Sequence, residues 1–168
     1  MANYKFIDKS VWIEKDKILI ITDLHIGYEE MLNAKGVFLP RTQYKKITEN
    51  LEKIFSITGK AKEIVILGDL KHEFGQISAQ EWSEVLEFLD FLQTKTEKII
   101  LIKGNHDNML KGIAKRKNIK LRDFYIKNDF GFMHGDKIYE EIMDKKIKTI
   151  FLGHMHPAIC IRKEAKRE

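Results

Sequence analysis

The sequence predicts an α/β fold in which a parallel-type sheet meets a second sheet, with helices on the outside, and three observations carry that expectation. Short β-branched runs at 17–22, 63–67 and 98–102 read as strands buried on both faces. Amphipathic helical patterns separate these runs, which gives the order βαβαβ. Beyond residue 117 the helical period gives way to compact strand-like segments at 121–126, 130–133, 149–152 and 158–162.

The helices follow from local signals. One starts near Pro40, places Tyr44, Ile47, Leu51, Ile54 and Phe55 on a single face, and stops near Gly59. Another opens on the capping box Ser78-x-x-Glu81 and turns Trp82, Val85, Leu86, Leu89 and Leu92 inward. A shorter helix follows over 108–117. The aromatic residues fall mostly at core-like spacing and read as packing rather than as a base-stacking platform.

Length and composition bound the rest. With 168 residues, 43% apolar and two prolines, the chain reads as one domain over 1–168, ending in a charged tail at 162–168 that is expected to fray. Cys160 stands alone, which excludes an intramolecular disulfide or a cysteine zinc cage and favours a reducing cytoplasm. Residues 1–10 alternate polar and apolar side chains, unlike a signal peptide. Apolar runs such as 18–21 and 64–67 fall far short of the ~20 residues that cross a bilayer, so a soluble protein without a membrane partner is expected. The net charge of +5 is uneven: residues 1–90 carry 12 cations and 15 anions, residues 91–168 carry 18 and 10. A basic second half attracts polyanions, nucleic acid among them, although lysine-rich coats are also common on solvated surfaces.

The chemistry gathers where strands end. The first run leads into Asp23-Leu24-His25, the second into Gly68-Asp69, and the third into Gly104-Asn105-His106-Asp107. Later runs lead into His134 and Gly153-His154-Met155-His156. Of the six histidines, five lie directly at these ends, and His72 lies three residues beyond Asp69. Singly, each of these is a turn or a helix cap. Together, two Asp carboxylates, one Asn amide and four imidazoles at one sheet edge need partners, which a metal or hydrogen bonds supply. Oxygen and nitrogen donors without thiolate suit Mn²⁺, Fe²⁺ or Zn²⁺, and seven donors exceed the needs of one tetrahedral ion. Two divalent ions sharing a carboxylate and a hydroxide suit in-line displacement at phosphorus.

This ordered set, spanning 23–156, resembles the calcineurin-like metallophosphoesterase superfamily. Within it, the strings Asp23-Leu24-His25-Ile26-Gly27-Tyr28-Glu29, Gly36-Val37-Phe38-Leu39-Pro40 and Gly68-Asp69-Leu70-Lys71-His72-Glu73-Phe74 are similar to phosphoesterases that include the DNA ligase-associated bacterial enzymes and their archaeal relatives. The resemblance implies a sandwich of two mixed β-sheets flanked by helices. It implies that Asp23, His25, Asp69 and His156 hold one metal, while Asp69, Asn105, His134 and His154 hold the second, with manganese the first choice and iron, zinc or nickel the alternatives. It further implies that His106 stabilises charge on the phosphoryl group or protonates the leaving oxygen, with Asp107 setting its tautomer. Lys71 and His72 are expected at the rim, in substrate contact or in support of the ligands.

The resemblance also implies further strands after the Gly-His-x-His-Pro segment, whereas this sequence stops twelve residues after His156. A strand near 159–161 is then left as an edge that a second copy of the chain could pair, unless the chain is a natural short form or a fragment. The leading expectation is a di-metal phosphodiesterase acting on DNA, RNA or nucleotides. A small-molecule phosphatase or cyclic-nucleotide phosphodiesterase uses the same centre. A non-catalytic interaction scaffold is the reading from another class, and intact ligand positions with His106 present speak against it.

Overall fold

The computed structural model describes residues 4–75, 77–107 and 109–157. A six-stranded sheet carries the strands in sequence order: β1 (Tyr4–Ile7), β2 (Ser10–Ile13), β3 (Ile18–Ile21), β4 (Ala61–Ile66), β5 (Thr96–Ile102) and β6 (Lys120–Arg122). β1, β2 and β3 pair antiparallel, and β3 through β6 pair parallel. The expected βαβαβ unit is therefore present as β3, α2 (Gln43–Thr58), β4, α3 (Ala79–Lys95) and β5. A second, three-stranded sheet holds β7 (Phe124–Lys127), β8 (Phe130–Met133) and β9 (Thr149–Leu152), with β8 and β9 parallel.

Strand alternation explains why both faces of the large sheet are dry. Leu19 and Ile21 join Ile64, Ile66, Ile99 and Leu101 under the helices, where they meet Leu51, Ile54, Val85, Phe88, Leu89 and Leu92. Ile18, Ile20, Val65, Leu67, Ile100 and Ile102 point the other way and pack on Phe130, Phe132 and Phe151 of the second sheet. Three layers result, with helices, large sheet and small sheet in that order. Among the described residues, no helix is long and apolar enough to cross a membrane.

Several elements differ from the sequence expectation. The segment at 121–126 is two strands, because the chain turns at Asp123 and passes from the first sheet to the second. The β1–β2 hairpin and the short helix α1 (Tyr28–Ala34) were not anticipated. α2 starts at Gln43 rather than near Pro40, since the carboxylate of Glu29 accepts the backbone N–H groups of Thr42 (2.7 Å) and Gln43 (2.9 Å) and caps the helix from outside its own sequence. The hydroxyl of Ser78 accepts the Glu81 N–H at 3.0 Å as a cap should, but the Glu81 carboxylate turns to another loop. The strand expected at 158–162 and the tail after it lie outside the described residues.

One polar contact ties the layers together. Glu63, 2% exposed, accepts from Lys98 Nζ (2.8 Å) in the large sheet and from Lys127 Nζ (2.6 Å) in the small one. Burial favours its neutral form, but the hydrogen bonds from Lys127, Lys98 and Tyr125 outweigh this and hold the carboxyl below its usual range. A depressed carboxylate contributes stability above its unfolded pKa, and that contribution is lost as pH falls through the folded value. Glu63→Gln should accordingly lower unfolding free energy by about 1–3 kcal/mol in urea titrations at pH 7, with a smaller loss at pH 4.

Candidate metal centre

Parallel strands end together, so β3, β4 and β5 deliver their following loops to one edge of the large sheet, and β8 and β9 deliver theirs alongside. The turn after β3 is laid against the turn after β4: Asp23 N–H donates to the Gly68 carbonyl (3.2 Å) and His25 N–H to that of Asp69 (2.9 Å). The turns after β8 and β9 are joined in the same way, through Gly153 N–H and the His134 carbonyl at 2.9 Å.

Asp69 is at the centre, with 2% of its surface exposed. Its Oδ2 lies 3.3 Å from His134 Nε2, 3.9 Å from His25 Nε2 and 3.9 Å from His106 Nε2. Its Oδ1 accepts the His106 backbone N–H at 3.0 Å. On one side, ligand atoms of Asp23, His25 and His156 cluster within 4.8 Å of one another; on the other, those of Asp69, His134 and His154 do the same. His156 Nε2 approaches Asp23 Oδ1 at 3.4 Å, and Asn105 Oδ1 approaches His134 Nε2 at 3.0 Å. All seven donors named from the sequence thus meet in one place. A cavity of about 420 Å³, bounded by Thr22, Asp23 and Leu24 with Lys46 and Asn50 of α2, opens beside Asp23.

The backbone is bent to achieve this. Asp23, His25, Asp69, His154 and His156 all adopt positive φ, between 37° and 66°. Left-handed conformations are costly for residues with a Cβ and persist where the surroundings enforce them, commonly at functional sites. Glycines make the crowding possible. A Cβ on Gly104 would stand 2.2 Å from Asp69 Oδ1 and 2.5 Å from Asp69 N; one on Gly153 would stand 2.1 Å from Thr22 Oγ1 and 2.9 Å from Asp23 Oδ2. The sequence marks these glycines as turns, each immediately before a donor in Gly68-Asp69, Gly104-Asn105 and Gly153-His154, but not the close approach that requires them.

The donor set fits divalent ions. His134 Nδ1–H donates to the Leu67 carbonyl at 2.7 Å, which turns Nε2 toward the two acceptors Asp69 Oδ2 and Asn105 Oδ1. Without a cation, a proton on Nε2 satisfies both acceptors. Burial opposes the charge, but the bonds to Asp69 and the Leu67 carbonyl prevail and push His134 up to about 9. Burial also drives His25 down to about 4 against the pull of Asp69, leaving a neutral ring whose Nδ1 is buried without a hydrogen-bond partner. Burial disfavours the Asp69 carboxylate too, yet His134 and the His106 N–H hold it below the usual range. A deprotonated carboxylate beside a neutral imidazole is what a hard-to-borderline cation requires.

The residues around the donors depart from expectation in two places. Lys71 is fully buried rather than at the rim, with its Nζ donating to the Glu73 carbonyl. Asp107 does not touch the His106 ring: its Oδ2 accepts Gly104 N–H at 3.0 Å, its Oδ1 is buried without a partner, and burial pushes it up to about 6. The His106 tautomer is set instead by the backbone carbonyl of His72, which accepts from Nδ1 and leaves Nε2 facing Asp69. His72 is half-buried, its ring against those of His25 and His106. The sequence spacing marks Glu81 only as part of a cap, whereas its Oε1 accepts the N–H groups of His72 (2.9 Å) and Glu73 (3.0 Å) and shapes that loop.

A family model described as calcineurin-like phosphoesterase matches residues 16–165. The chain belongs to the calcineurin-like phosphoesterase family. It is therefore a metallophosphoesterase, and its Asp and His clusters are in place to bind metal. Among solved structures it is similar to a Pseudomonas putida nuclease, MPE, at 19% identity and a TM-score of 0.70, with 95% of this chain and 77% of that one covered. It is also similar to AQ665, a protein of unknown function from Aquifex aeolicus, at 17% identity and a TM-score of 0.45, covering 77% of this chain and 67% of that one. No curated protein matches it significantly.

Gly104→Ala should reduce metal affinity at least about tenfold although Gly104 offers no ligand, because the clash falls on the Asp69 backbone as well as its carboxylate. Metal content after dialysis checks this. A second expectation concerns pH. In the metal-free protein the raised His134 contributes stability that is full below pH 6.5 and lost as pH rises through about 9. Metal must displace that proton, so Mn²⁺ dissociation constants measured by calorimetry should fall by about tenfold per pH unit across the same window. A flat profile would count against the placement of His134.

Proposed function

We propose that this phosphoesterase is a two-metal phosphodiesterase acting on nucleic acid or nucleotides. The observation that carries the reading is the position of the Asp69 carboxylate between His25 on one side and His134 on the other, each within 4 Å of the same oxygen. Asp69 groups with His134 and His154, and the same oxygen lies 3.9 Å from His25 of the neighbouring group, as it does from His106; a carboxylate within reach of both groups is the arrangement that two neighbouring cations need. On this reading Asp23, His25, Asp69 and His156 hold one ion, and Asp69, Asn105, His134 and His154 hold the other. Manganese is the first choice, with iron, zinc or nickel as alternatives, because the donors are oxygen and imidazole nitrogen without thiolate.

When bound, the ions supply Lewis acidity and lower the pKa of the attacking water. The chain's own residues do the rest. The left-handed turns at Asp23, Asp69 and His154 fix the donors before substrate arrives, so little reorganisation is left for the reaction. His106 is held by the His72 carbonyl with Nε2 aimed at the site, where, as the imidazolium, it either stabilises charge on a phosphoryl oxygen or passes its Nε2 proton to the leaving oxygen and becomes neutral. Support for a nucleic acid or nucleotide substrate comes from the basic second half of the chain and from the name of the P. putida neighbour, a nuclease. A cytoplasmic location agrees with the lone Cys160.

Purified protein supplied with Mn²⁺ should hydrolyse bis(p-nitrophenyl) phosphate, and Asp69→Asn should remove both metal and activity. His106→Gln should keep its metal while kcat falls by about 10²–10³-fold. An inert wild type across Mn²⁺, Ni²⁺, Zn²⁺ and Fe²⁺ defeats the phosphodiesterase reading. Loss of metal on His106→Gln would move His106 from proton transfer to ligation. Parallel assays on single-stranded and duplex DNA, RNA, 2′,3′-cyclic nucleotides and a phosphomonoester rank the substrates.

A further inference from the structure

An aromatic wall runs along one side of the donors. Tyr28 packs edge-on to His72 with ring centroids 4.8 Å apart, His72 meets His106 at 5.3 Å, and Phe74 lies over His106 at 3.6 Å with a tilt of 34°. The two ends of this wall are exposed, Tyr28 by 42% and Phe74 by 54%. Phe74 therefore rests one face on His106 and offers surface to solvent within one ring of Asp69.

The loop does not hold Phe74 there by accident of slack. Lys71 forms a parallel bridge with Ile26, and His72 N–H donates to the Ile26 carbonyl at 3.0 Å. Glu81 takes the His72 and Glu73 N–H groups, and buried Lys71 caps the Glu73 carbonyl. The backbone is thus pinned up to the residue before Phe74. Beyond it comes Gly75, around whose Cβ position there is open space. Burial stabilises a phenylalanine, and this one is held more than half exposed, where it forgoes much of that gain.

We propose that Phe74 is a specificity-determining residue that stacks on the nucleobase next to the scissile phosphate, with Tyr28 extending the same wall. A phosphoryl group beside His106 Nε2 brings its esterified nucleoside past the exposed ring, and a base presents the flat, polarisable face that an aromatic side chain binds without regard to sequence. The role assigned to Phe74 rests on the phosphodiesterase reading for its substrate but not for its binding test. It also revises the sequence-based view that the aromatic residues serve packing alone.

Two measurements test it. In calorimetry on Mn²⁺-loaded protein, the wild type should bind deoxyadenosine 5′-monophosphate about tenfold more tightly than deoxyribose 5-phosphate. Phe74→Ala and Phe74→Leu should erase that preference, and Phe74→Tyr should keep it, with thermal melting used to verify folding. In hydrolysis, the wild type should show a KM about tenfold lower for an oligodeoxynucleotide than for its counterpart with abasic sugars flanking the scissile phosphate. Phe74→Ala should collapse that ratio with a smaller change in kcat. Equal binding of the two monophosphates by the wild type, or a preference that survives Phe74→Ala, overturns the proposal. A preference that depends on Phe74 in a protein inert toward every diester supports the stacking role and defeats the phosphodiesterase reading instead.

Discussion

The buried carboxylate of Asp69 is the constraint on which the rest of the centre depends. A carboxylate out of water needs compensation from several directions, and here three imidazoles and the backbone N–H of one of them, His106, converge on it. The three histidines come from three different loops, so the position of one side chain fixes the relative placement of the turns after β3, β5 and β8. The glycines are the other half of the same constraint, because the loops approach so closely that a single methyl group at 104 or 153 would overlap a ligand or its hydrogen-bond partner.

Electrostatics divides the histidines by task. His25 is kept neutral by burial, His134 is drawn toward protonation by two facing acceptors, and His106 is fixed through its Nδ1 by a main-chain carbonyl. Only the third is held by a partner that leaves its Nε2 free of a second acceptor at hydrogen-bonding distance, which is the condition for exchanging a proton with a substrate. On the proposed reading the same ring type serves both ligation and acid chemistry, and the difference lies in what stands behind each nitrogen.

Much of the architecture was legible in the sequence. The dry strands at 63–67 and 98–102 announced themselves through β-branched runs, and the seven donors through their position at strand ends. What escaped was everything decided by distant partners. The cap of α2 belongs to Glu29, the break at Asp123 reflects two sheets competing for one apolar segment, and Glu63 looks like any charged strand residue until Lys98 and Lys127 arrive from either side. Local sequence puts Lys71 at the rim and Asp107 behind His106, while their burial depends on the loops folded over them.

The chain crosses from the large sheet to the small one at Asp123, and the proposed ligand sets draw on both sheets. His156 follows β9 while Asp23 and His25 follow β3; His134 and His154 follow the small sheet while Asn105 follows β5. Bound cations would therefore act as rivets across the layer boundary at one end of the sandwich, with the Glu63 clamp fastening the other. Stripping the cations would loosen the sandwich from its business end, so chelation and sheet separation become two views of a single equilibrium.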